Sequence, residues 1–129
     1  MPKTILEPKG VWKSEHFKFS QAVRSGDMLY LAGQTGIDPS GKVVPGGFKE
    51  QTKEAFRNIE RILEESGGSF KDVLRLTAYF TDMNNLGAYT EIMNEVSGGK
   101  DFPAQTVIEV KSLALKELEV EIDAIASLR

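Results

Sequence analysis

Apolar residues recur along this chain with two different periods. Between Phe48 and Ser66, positions Thr52, Ala55, Phe56, Ile59, Ile62 and Leu63 share one face at helical spacing, and charged residues fill the other side. That spacing predicts an amphipathic helix, which Gly67-Gly68 then ends. Leu86–Val96 predicts a second helix with the stripe Leu86, Tyr89, Ile92, Met93 and Val96, closed by Ser97-Gly98-Gly99. Elsewhere the period is two, as strands require. Val73–Thr81 sets Leu74, Leu76, Ala78 and Phe80 against Val73, Arg75, Thr77 and Tyr79. Ala104–Val110 sets Ala104, Thr106, Ile108 and Val110 against Gln105, Val107 and Glu109. Leu118–Ala126 sets Leu118, Val120, Ile122, Ala124 and Ala126 against Glu119, Glu121, Asp123 and Ile125. Nearer the start, Leu29–Ala32 predicts a short strand, with Phe17–Val23 as its hairpin partner across a Gly26-Asp27 turn. Asp38–Gly41 and Pro45–Gly47 mark further turns.

The resulting order is β-β-α-β-α-β-β. Two helices covering one face of a single sheet make an α+β sandwich related to ferredoxin-like folds. The second sheet face is expected to hold Arg75, Thr77, Tyr79, Gln105, Val107, Glu121 and Ile125. It is too apolar to be wholly solvated and too polar for a monomer core, which fits a subunit interface with polar clefts at its edge.

Composition narrows the function classes. At 129 residues, with 40% hydrophobic and 27% charged residues, the chain is expected to be one globular domain, 1–129. Its net charge of −3, spread without a basic stripe, argues against nucleic acid as a partner. The absence of cysteine excludes a disulfide scaffold, a thiol nucleophile and thiolate metal sites. A single histidine, His16, leaves little scope for a zinc constellation or a Ser-His-Asp arrangement, and is expected in a solvated loop. Glu119, Glu121 and Asp123 line one strand face, where neighbours lie about 6.5–7 Å apart, too far to share one ion. No stretch approaches the roughly 20 apolar residues of a membrane helix. The opening MPKTILEPKG lacks the apolar core of a secretory signal, so cytoplasmic residence is the expectation.

Several short runs carry a family likeness: Phe19-Ser20-Gln21-Ala22-Val23, Leu31-Ala32-Gly33-Gln34, Phe102-Pro103-Ala104, and above all Val120-Glu121-Ile122-Asp123-Ala124-Ile125-Ala126. From about Ser14 to Ala126 the chain resembles the Rid (YjgF-type) family of enamine/imine deaminases. The resemblance implies a chorismate-mutase-like protomer assembled as a homotrimer, with ligand clefts between adjacent subunits. It also implies hydrolysis of reactive enamines or imines to 2-oxo acids and ammonia. An imine is already electrophilic, so water needs only positioning, proton management and a substrate anchor. No metal or organic cofactor is implied.

Carried over residue by residue, the resemblance makes Glu121 the carboxylate that orients or deprotonates water. The alternative is a sheet glutamate paired with a base such as Arg75. Gly33 matches a glycine whose backbone lines the cleft, or else is a strand-end turn glycine; Gln34 is expected in the same turn. Four further positions match ligand-lining positions of the family but differ in residue type. Phe19 stands where a tyrosine is frequent, Val107 where a cysteine is common, and Thr90 where many members have a helix asparagine. Gln105 stands where an arginine usually binds the substrate carboxylate. Arginine offers a charged fork of donors, whereas glutamine offers a neutral donor and an acceptor. Two functions follow: hydrolysis of a C–N bond in a substrate other than the simple 2-imino acids, or a non-catalytic trimer that binds a small molecule or a protein. Arg24 and Arg75 are candidates to replace the missing cation.

Overall fold

A computed structural model describes residues 2–129. The chain runs through β1 (Thr4–Leu6), β2 (Ala22–Ser25), β3 (Met28–Thr35), α1 (Gly47–Glu65), β4 (Val73–Phe80), α2 (Leu86–Ser97), β5 (Ala104–Glu109) and β6 (Val120–Ser127). The strands form one mixed six-stranded sheet in the order β1-β2-β3-β6-β4-β5, antiparallel except for the β4–β5 pair. Both helices lie on one face of it, as the α+β expectation required, and β1 adds an edge strand that the residue pattern did not predict. Among the described residues, no helix is long and apolar enough to cross a membrane.

The core sits between sheet and helices. Ala55, Phe56, Ile59, Ile62 and Leu63 of α1 meet Leu76, Ala78 and Phe80 of β4 and Val120, Ile122, Ala124 and Ala126 of β6. Each fully buried large apolar side chain contributes roughly 1.5–3 kcal/mol. Edge-to-face aromatic packing adds directionality: Phe80 lies 5.0 Å from Phe48 and 5.0 Å from Tyr89, centroid to centroid. After α1, Gly67 takes φ +87° and the Gly68 N–H donates to the Leu63 carbonyl at 2.8 Å, so the glycine pair does end the helix.

Three local expectations change. The expected strand Phe17–Val23 is instead a 3-10 turn over Glu15–Phe17 followed by strand from Ala22, because Lys18 adopts a left-handed φ of 68° that extended chain cannot contain. Exposed His16 sits on that turn. Leu74 is 51% exposed whereas Val73 is buried, since the β4–β6 register shifts between Val73 and Arg75 and reverses the alternation there. Gln105 and Val107 lie on the helix-covered side of the sheet, not beside Glu121. The parallel register sets Gln105 opposite buried Leu76 and Val107 opposite buried Ala78.

Candidate functional site

The open sheet face carries rows of cross-strand neighbours. One runs Ile5, Val23, Tyr30, Ile125, Arg75, Ala104; another runs Thr35, Glu121, Tyr79, Ile108. At the β3–β6 end of the second row lies a cleft of about 460 Å³. Its walls are mainly apolar: Trp12, Phe17 and Phe19 from the N-terminal segment, Ile37 after β3, and Ala114, Leu115 and Leu118 before β6. Trp12 meets both phenylalanines edge-on, with centroids at 5.8 Å and 6.1 Å. Among the described residues, Glu121 is the only ionisable side chain in the lining.

Glu121 is half-buried and has no hydrogen-bond or ion-pair partner among the described residues. Arg75 is not its counterion; the guanidinium donates to Thr106 Oγ1 at 2.9 Å. Arg24 likewise donates to the Gly26 carbonyl at 2.9 Å. Burial pushes the Glu121 carboxyl above its usual range, and the negative charge of Asp123 adds to the effect. Asp123 itself accepts from Tyr79 Oη at 3.1 Å, and burial raises the Tyr79 phenol so that it remains a donor.

Gly33 explains how the carboxylate fits. It lies within β3, where the register with β6 shifts between Leu31 and Gln34, and a Cβ there would overlap the Glu121 carboxylate. Glycine is needed for space, not for an unusual φ. A Gly33→Ala variant is therefore expected to fold, because the displaced group is the end of a flexible side chain. It should lose turnover or ligand affinity by at least about tenfold, as an active-site group is displaced by an ångström or more. Thermal melting beside kinetics checks this, and unchanged kinetics would remove Gly33 from the site.

Loop and helix contacts hold the rest of the cleft. Gln51 of α1 donates to the Glu117 carbonyl at 2.9 Å and accepts from the Glu119 N–H at 2.8 Å, clamping both sides of Leu118. Gln51, and Asn58, which ties down Thr35 and Ile37, support the site without being among the expected residues; polar residues on an otherwise apolar helix stripe are the available signal.

The remaining expected residues divide into two groups. Phe19, Gly33 and Glu121 meet in the cleft. Gln34 points into the interior, 1% exposed, donating to Gln21 Oε1 at 2.8 Å and to the Ala32 carbonyl at 3.1 Å, so its side chain is not part of the lining. Gln105 and Val107 on β5 and Thr90 on α2 lie apart from this cleft, on the other side of the sheet. Gln105 Oε1 accepts from Tyr89 Oη at 2.7 Å, Thr90 is exposed and donates to the Leu86 carbonyl at 3.0 Å, and Val107 packs against the core margin.

A helix-covered sheet bearing an unpaired, half-buried carboxylate in an apolar-walled cleft places the chain among small α+β proteins. The sequence pattern of the endoribonuclease L-PSP family matches residues 14–128, and the chain belongs to that family, the Rid proteins. It is similar to a RutC family protein of Pyrococcus abyssi (41% identical over 109 residues, 84% of this chain and 84% of the relative). It is also similar to the 2-iminobutanoate/2-iminopropanoate deaminase of Mus musculus (39% identical, 84% and 79% covered). Its fold matches the crystal structure of the Rid family protein YyfA from Yersinia pestis with a TM-score of 0.92 at 30% identity, over 98% of this chain and 100% of that one.

Proposed function

We propose that this protein is a Rid-family hydrolase acting on an enamine, imine or related C–N bond of a small metabolite, with Glu121 orienting and deprotonating the attacking water. The observation that carries this is the unpaired Glu121 carboxylate, raised in pKa, in an apolar cleft where it is the only ionisable group among the described residues. A carboxylate so placed is a better base than a solvated one and is free to engage water. The mouse relative's name, an iminobutanoate/iminopropanoate deaminase, supports the reaction class. A phosphodiester is disfavoured there, since among the described residues the lining presents a carboxylate and no cation.

The substrate is not a simple 2-imino acid. Hydrogen bonds to charged groups contribute roughly 1.5–3 kcal/mol each, so exchanging an arginine fork for neutral Gln105 weakens carboxylate binding by about a hundredfold or more. The active unit is a homotrimer. Glu121 and Gln105 occupy opposite faces of one sheet, so one small ligand touches both only if a second copy brings its β5 edge to the first copy's cleft. The partly exposed apolar residues Tyr30 (46%) and Ile108 (41%) on the open face favour such burial. Ammonia release measured on 2-imino acids generated in situ, and on their neutral amide analogues, tests the substrate; high rates on the acids would overturn it. Sedimentation is expected to show about three times the 14.3 kDa chain mass. A monomer at micromolar concentration would remove the shared cleft. The second function, a trimer that binds without turnover, is favoured by the lack of any further ionisable group in the lining among the described residues. Turnover that does not depend on Glu121, or no turnover at all, would select it.

A further inference from the structure

Gln105 is exposed at the β5 edge, yet its amide is not free to rotate, because Tyr89 holds one end of it. Tyr89 lies on the buried stripe of α2 and is only 1% exposed, its ring packed on Phe80 at 5.0 Å and Phe56 at 6.0 Å. Its hydroxyl reaches out between α2 and β5 to Gln105 Oε1 at 2.7 Å. Burial pushes the phenol well above its ordinary pKa, so the hydroxyl keeps its proton. A phenol proton in such a place needs an acceptor, and the Gln105 amide oxygen is the one within reach. In the opposite amide orientation the NH₂ group would donate to the phenol oxygen and leave the buried phenol proton without the Gln105 acceptor.

We infer that Tyr89 is a positioning residue that fixes Gln105 with its NH₂ group presented outward, making this edge a donor-presenting subsite for an uncharged carbonyl oxygen, as in a carboxamide, ester or ketone. With Oε1 turned to the buried phenol, Gln105 presents its NH₂ donors rather than its acceptor to a ligand at this edge. It has no charge with which to reward a carboxylate for losing its hydration. The preferred substrate is therefore an imine or enamine whose neighbouring carboxyl carbon is masked as a neutral derivative. This selectivity rests on the hydrolase proposed above, but it concerns binding and is tested separately from turnover.

The probes are 2-oxobutanamide and 2-oxobutanoate, a matched neutral and charged pair, titrated calorimetrically into the full-length protein. The wild type is expected to bind the amide more tightly than the acid. Tyr89→Phe retains the ring packing and frees the Gln105 amide, so amide affinity should fall about fivefold, the usual worth of one hydrogen bond, with the acid little changed. Gln105→Glu leaves Tyr89 an acceptor but removes the outward donors; it should lose the amide by more than about tenfold without gaining the acid. Gln105→Arg should reverse the preference. An amide-to-acid ratio unchanged in Tyr89→Phe, retained amide binding in Gln105→Glu, or no binding of either probe to the wild type would overturn the inference. A purely structural role for Tyr89 would lower the melting temperature without moving the ratio. If the ratio shifts as expected while Glu121→Gln leaves turnover intact, the subsite stands and the hydrolase falls.

Discussion

Replacing Glu121 by glutamine is expected to lower turnover by about 10²–10⁴-fold, the range that a positioned general base supplies, while leaving the fold intact. The side chain keeps its size beside Gly33, so the cleft is not remodelled. In the proposed reaction the active form is the carboxylate, and burial together with Asp123 has raised its pKa. Activity should accordingly rise with pH through an inflection above the ordinary glutamate range, and the residual activity of the variant should lack that inflection. Stability moves the other way. A folded-state pKa above the unfolded value means that the native state binds more protons between the two values, so stability falls as pH rises through that window. At neutral pH the buried charge is a cost that glutamine removes, and the variant should melt at a higher temperature than the wild type there. Below the unfolded glutamate pKa both side chains are neutral and the difference should vanish. A pH–rate profile and melting curves at acid and neutral pH check both arms. Equal turnover in variant and wild type would remove Glu121 from the chemistry.

Asn58→Leu is expected to be the most damaging single change in the scaffold beneath the cleft, costing about 3–5 kcal/mol. Asn58 is fully buried on α1 and donates to the carbonyls of Thr35 at 3.2 Å and Ile37 at 2.8 Å. Its Oδ1 also accepts from Arg61 Nη1 at 2.6 Å, and the same guanidinium nitrogen donates to Glu54 Oε2 at 2.7 Å. Leucine has the same branching but is larger, so no void is left, and the penalty comes from stranded carbonyls, a disturbed half-buried ion pair and overpacking. Thr35 and Ile37 line the cleft, so ligand affinity should fall even in the folded fraction. Urea unfolding gives the first number and ligand titration at low temperature the second. A loss below about 1 kcal/mol would show that water replaces the amide at little cost.

Much of this architecture is legible in local pattern. The α1 stripe, the α2 stripe around Tyr89, Ile92 and Met93, and the inward set Val120, Ile122, Ala124 and Ala126 are buried as their periods predict. Burial on one side of a helix or strand is dictated by backbone repeat, which a few neighbouring residues express completely. Short elements were less legible. Thr4–Leu6 is too brief to show alternation and exists by pairing with β2. The Leu74 reversal arises from a register shift against β6, some fifty residues away, and nothing near Leu74 in sequence announces it. Leu86, placed on the α2 stripe by spacing, is 43% exposed because it sits at the first residue of the helix, beyond the sheet's cover.

The site divides along the same line. From sequence alone came the family likeness, the singular carboxylate Glu121 and the neutral Gln105, because residue identity is carried by the chain itself. Tertiary structure decided where they stand. Parallel pairing of β5 with β4 turns Gln105 toward Tyr89, antiparallel pairing of β6 with β3 presses Glu121 against Gly33, and the two end on opposite faces of one sheet. Strand order and register are set by hydrogen bonds between distant segments, and a change of one residue in register moves a side chain to the other face.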